Sequence, residues 1–165
     1  MSNQKGITLI ELLAVVIIAS IVVISATSIL VKGKTTYEET KIESELRDAA
    51  DLLIIEVYKE LYTTKVSDVK EYKQQSLVTT GKFRDSYIEM NSGKATGFKD
   101  RKFLINGVEK TISAEDVKIL YATTQNKPYS KVEKVGESTY TITLVLQNVK
   151  KGKEKVFVNE VTLIE

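Results

Sequence analysis

The chain has no cysteine and no histidine among its 165 residues, and a single proline, Pro128. Without cysteine nothing can be stapled by disulfides, and no thiolate is available as nucleophile or metal ligand. Without histidine the usual general base and the commonest metal ligand are gone as well. Both absences point away from an enzyme, and no catalytic residue, metal ligand or cofactor is assigned. Long internal repeats and low-complexity tracts are also missing. Net charge is scarce, at +2, but it is unevenly spread. Residues 32–64 carry five Lys/Arg against eight Asp/Glu, and residues 65–165 carry eighteen against thirteen. An acidic stretch therefore precedes a mildly basic one. Solvated surface accounts for both, and a basic region meeting DNA or an anionic wall polymer is the sharper alternative.

What the chain does have is a long apolar run. From Leu12 to Val31 there are twenty residues without a charge. As a helix they rise roughly 30 Å, about the thickness of a bilayer core. One carboxylate, Glu11, sits at the mouth of the run. A charge there is costly in lipid, so it calls for a partner and is a functional candidate. The six residues before Ile7 are short and polar and read as a processing leader. The length suits one compact domain plus an extension, with residues 32–165 left to build a core.

The start of the chain, Lys5-Gly6-Ile7-Thr8-Leu9-Ile10-Glu11-Leu12-Leu13 followed by the apolar run, resembles the class III signal of type IV pilins and pseudopilins. The resemblance covers about the first thirty residues. It implies that a membrane aspartic peptidase, the prepilin peptidase, cuts between Gly6 and Ile7, and that the new N-terminus at Ile7 is methylated. It further implies that Glu11 docks the subunit into a helical filament. The implied partners are other pilin or pseudopilin subunits, inner assembly-platform proteins and membrane lipid. The implied location is a single-pass membrane protein with an extracytoplasmic head, extracellular once assembled into a pilus, competence pseudopilus or secretion pseudopilus. Charge counting does not decide the topology, with Lys5 on one side and Lys32 and Lys34 on the other. Ile7 stands where Phe is commonest in that family, Ser28 where a helix-loosening Pro is frequent, and the C-terminal Cys pair is lacking. These departures favour a minor pilin or pseudopilin. The alternative is a signal-anchored extracellular binding protein outside any filament. In that reading Glu11 has no role and the N-terminus stays uncut, or an ordinary signal peptide is cut near Ser25–Ser28, although its apolar core would normally be about 7–15 residues.

Beyond the run the periodicity becomes amphipathic. Ile42, Leu46, Ala49, Leu53, Val57 and Leu61 recur at three- and four-residue steps. They predict a helix over about residues 35–62, continuous with the membrane helix or bent near Gly33, with the stripe as the seam on which the head packs. From about Lys65 the pattern shifts toward period two. Residues 139–147 alternate, with Tyr140, Ile142, Leu144 and Leu146 on one face and threonines on the other, as in a half-buried strand. Residues 155–164 form a second strand, with a turn around Gly152 between them. Asn106-Gly107 is a type I′ turn signal joining strands at 103–105 and 108–112. Further strands are expected at 117–122 and 87–90, with loops at 92–97 and 124–131. Residues 65–80 are weakly patterned and receive no assignment. The fold class is thus α+β and pilin-like: a leader at 1–6, a membrane or filament-core helix at 7–31, an amphipathic spine at 32–64, and an antiparallel sheet at 65–165.

Three further motifs carry weight. Gly33-Lys34-Thr35 has the tail of a phosphate-binding loop, but position 28 is Ser and a membrane helix precedes it, so nucleotide binding is rejected. Asp48, Asp51, Glu56 and Glu60 spread over a solvated helical face without converging oxygens. Some major secretion pseudopilins bind calcium in an acidic C-terminal loop, but this C-terminal region is lysine-rich. Lys150, Lys151, Lys153 and Lys155 crowd one hairpin tip. They are either an edge kept soluble by charge or a candidate anion-binding patch.

Overall fold

The computed structural model describes residues 8–74, 85–121 and 128–165. Helix α1 runs from Leu9 to Leu61 and passes through Gly33 without a break. The chain divides into two units within this helix, between Lys41 and Ile42. In the first unit every described side chain from Leu9 to Val31 is exposed, and the helix is long and apolar enough to cross a membrane. Its few polar side chains are satisfied by the helix itself. Ser20, Ser25, Thr27 and Ser28 donate to the carbonyls of Val16, Ile21, Val23 and Ile24 at 2.7 to 2.9 Å. A hydroxyl bonded in this way is tolerated where no water is present. The Gly33-Lys34-Thr35 stretch is likewise helical, with Thr35 Oγ1 donating to Val31 O.

In the second unit the amphipathic stripe is the core seam that its spacing predicts. Leu46, Ala49, Ala50, Leu53, Val57 and Leu61 are buried, and Ile42 packs against them. The helix stops where Thr63 and Thr64 each donate a hydroxyl to Glu60 O at 2.9 Å, satisfying one of the orphan carbonyls of the last turn.

Two antiparallel sheets follow, where the sequence predicts one. The first has strands β1 (Val69–Gln74), β2 (Ser86–Met90), β3 (Ala95–Lys99), β4 (Lys102–Ile105) and β5 (Val108–Lys110), paired in chain order. The second is built on β8 (Thr139–Asn148), which pairs with β6 (Val117–Ile119), β7 (Lys131–Lys134) and β9 (Glu154–Thr162). The Asn106-Gly107 turn is present, with both residues at positive φ, 53° and 79°.

Several expectations change. The 92–97 loop closes earlier than predicted, because Ala95 already opens β3. Gly97 there has φ 130°, and a Cβ on it would lie 2.6 Å from Ser86 O, so only glycine lets these strands approach. The weakly patterned 65–80 stretch contains β1, with residues 75–80 outside the described ones. Strand β5 ends at Lys110 and β6 at Ile119, both shorter than predicted, and Ala122 lies outside the described residues. Strand β7 (Lys131–Lys134) starts at the last residue of the predicted 124–131 loop, of which 124–127 are also outside the described residues. Finally, β8 is not wet on its threonine face: Thr143 and Val145 are buried. As the hub of its sheet, β8 is flanked on both sides, and Ser130 Oγ bonds both the N–H and the carbonyl of Val145.

Candidate functional site

The chemistry-bearing N-terminus is built by the first turn of α1. A helix begins with four N–H groups that have no intrahelical acceptor. Thr8 occupies the cap position and Glu11 the third helical position, and the two satisfy each other. Glu11 N–H donates to Thr8 Oγ1 at 3.4 Å, while Thr8 N–H donates to Glu11 Oε2 at 2.9 Å. The Thr8 hydroxyl also donates to Glu11 Oε2, at 3.0 Å. Thr8 O accepts from Glu11 and Leu12 N–H at 3.1 and 3.2 Å. This is a reciprocal capping box, the arrangement expected of a Thr three residues before a Glu. It also sets the carboxylate at the positive end of the helix dipole. The partner that Glu11 calls for is, within the chain, Thr8. The Thr-x-x-Glu spacing was the signal that would have found it. The box engages Oε2, and an ionised carboxylate keeps acceptor sites on Oε1 for a second partner. Gly6 and Ile7, the expected processing residues, lie outside the described residues.

Lys150, Lys151 and Lys153 lie in the turn between β8 and β9, and Lys155 is the second residue of β9, opposite Leu146. The turn between β8 and β9 is held by Gly152 N–H donating to Asn148 O at 2.8 Å and Asn148 N–H donating to Lys153 O at 2.9 Å. Lys151 N–H donates to Asn148 Oδ1. The tip is not a bank of free cations, however. Lys150 Nζ lies 2.6 Å from Asp116 Oδ2, and Lys153 Nζ lies 2.9 Å from Glu43 Oε1. The hydrogen bond from Lys153 holds the Glu43 carboxyl below its ordinary range, helped by the charges of Lys153 and Lys155. The hydrogen bond to Asp116, and then its charge, push Lys150 upward. The acidic stretch at residues 32–64 thus supplies Glu43 as a counter-charge to the tip. Glu56 likewise pairs with Lys110 at 2.8 Å. Among the described residues no cluster of three or more carboxylates converges as a metal site.

Residues 1–27 match the family model described as the prokaryotic N-terminal methylation motif. No curated protein and no solved structure matches the chain.

Proposed function

We propose that this chain is a structural subunit, a minor pilin or pseudopilin, of a type IV pilus, competence pseudopilus or secretion pseudopilus. The observation that carries the reading is the methylation motif at residues 1–27. It opens a helix long and apolar enough to cross a membrane, in a pilin-like α+β architecture. The prepilin peptidase removes the leader after Gly6, and the freed amine of Ile7 is methylated. The subunit waits as a single-pass membrane protein with its head outside the cytoplasm. It then joins other subunits with the help of the inner assembly platform.

Glu11 is the docking carboxylate in this scheme. Ile7 carries the new ammonium, four residues before Glu11 in the sequence. On entering a filament these groups move among apolar helices, where an unpaired charge costs at least ~2.5–3.5 kcal/mol on insertion scales. A neighbour's ammonium on Glu11 offsets that cost and sets axial register. The capping box supports this role because it orders the carboxylate before any partner arrives.

Intact-mass analysis of membrane-extracted protein tests the reading. A chain beginning at Ile7 is expected, carrying one added methyl group. A start at Met1 or near Thr27 would instead favour the signal-anchored binding protein.

A further inference from the structure

Strand β9 pairs with β8 along one edge only, and bonds at both its ends settle which residues face outward. Asn148 N–H donates to Lys153 O, and Leu163 N–H to Ser138 O, both at 2.9 Å, so odd-numbered residues bond toward β8. Ile164 N–H donates to Thr64 O at 3.1 Å, and its carbonyl accepts from Val66 N–H at 2.8 Å. Tyr58 Oη donates to Glu160 O at 2.8 Å. Even-numbered residues therefore face the outer edge, as the two-residue repeat of a strand requires. From Glu160 onward the chain closes that edge with its own groups. At Val156 and Val158, no described residue supplies a partner for the outward N–H and C=O.

The open part lacks most devices that blunt an edge. The nine residues of β9 hold an unbroken register against β8 and contain no proline. Val156 and Val158 also expose their side chains, at 42% and 63%. A regular edge with apolar side chains is a template for another strand. Only the lysines at its start guard it, and they do so asymmetrically. Lys153 is bound to Glu43, while Lys155 feels Glu43 without a direct ion pair among the described residues.

We infer that the Glu154–Val158 run of β9 is a docking edge for an extended, acidic–apolar peptide segment of a partner protein, added antiparallel as a further strand. The backbone decides the class of occupant. Outward donors and acceptors two residues apart are matched by a polypeptide, which supplies both. A phosphate polymer offers acceptors only. Antiparallel addition is the slightly more stable geometry, and it determines the order of side chains. Apolar residues stand opposite Val158 and Val156, and acidic residues opposite Lys155 and Lys153. The position opposite Glu154 is not acidic, since like charges across a strand pair repel. Read from its N-terminus, the segment is apolar-x-apolar-acidic-x-acidic. This inference does not depend on filament assembly.

The test uses the full chain in detergent micelles, with amide exchange followed by NMR. The probe is the peptide acetyl-Thr-Val-Thr-Val-Asp-Thr-Asp-amide, and the control has Lys in place of both Asp. In the free chain the amides of Val156 and Val158 exchange fast while those of Lys155 and Phe157 are protected. Saturating probe slows Val156 and Val158 at least about ten-fold, and the control binds about ten-fold more weakly, a gap that closes with salt. Val158→Pro removes only an outward N–H, which an edge strand tolerates, so it keeps the melting temperature and loses the probe. Val156→Asp combined with Val158→Asp leaves the backbone intact and weakens the probe by setting carboxylates opposite its two valines, should the proline variant fail to fold. Undiminished binding to these variants, equal binding of probe and control, or no protection at Val156 and Val158 overturns the inference. So does protection in the chain alone that vanishes on dilution, which identifies a second copy as the occupant.

Discussion

Two adjacent leucines on α1 provide the sharpest test of how the head is held together. Leu53 is 5% exposed in the seam between helix and sheets, and Leu52, one residue earlier, is 68% exposed. Replacing Leu53 by Asp removes a buried side chain, a loss of about 2–5 kcal/mol when the site cannot collapse. It also puts a carboxylate among Ala49, Val57 and their apolar neighbours, where an uncompensated charge costs roughly 3–5 kcal/mol unless it takes up a proton. Together these approach the ~5–15 kcal/mol by which a domain is stable. The same change at Leu52 costs only helix propensity, about 0.5 kcal/mol. The assay is thermal melting of residues 34–165, followed by circular dichroism. The unaltered fragment and Leu52→Asp are expected to melt cooperatively at nearly the same temperature, and Leu53→Asp to show no folded baseline. A Leu53→Asp fragment that keeps its melting temperature would refute the seam, and so would a Leu52→Asp fragment that loses as much.

At the N-terminus, Glu11→Leu is expected to insert in the membrane and be cut after Gly6, yet to be missing from sheared filaments. Incorporation at the unaltered level would rule out charge pairing. Thr8→Val separates capping from docking: it removes the hydroxyl, at about 0.5–2 kcal/mol of helix stability, but keeps the carboxylate, so incorporation is expected to survive. Changing Lys150, Lys151 and Lys153 to Gln tests the tip as an anion site. Binding of DNA to the head should weaken in its salt-sensitive part, and no binding by the unaltered head at low salt would retire the idea. Tyr72 gives a pH test. Burial, then the nearby Glu133 charge, push its phenol up to about 12 while it donates to Val132 O at 2.8 Å. Because the folded value is the higher one, this stability is present below the unfolded value near 10 and is lost as pH rises through about 12. The melting temperature should therefore fall between these values, and less steeply in Tyr72→Phe.

What was legible in the chain was whatever a local period or a fixed spacing encodes. The charge-free run from Leu12 to Val31, the three-and-four stripe from Ile42 to Leu61 and the Asn106-Gly107 turn each depend on residues within a turn or two of one another. The same holds for the Thr8–Glu11 box, whose Thr-x-x-Glu spacing lies within a single turn. Tertiary structure decided what depends on distant partners. Two sheets form instead of one, and β3 and β7 exist because β2 and β8 are there to pair with them. Thr143 is buried because β8 became a hub, a fact its own alternation cannot express. Lys150 meets Asp116 and Lys153 meets Glu43 across long stretches of chain, so four lysines that look like a cationic tip are partly neutralised. The open edge of β9 is likewise invisible locally. Residues 154–162 alternate like any half-buried strand, and only the placement of Tyr58, Thr64 and Val66 determines where the outer edge is closed and where it is left open.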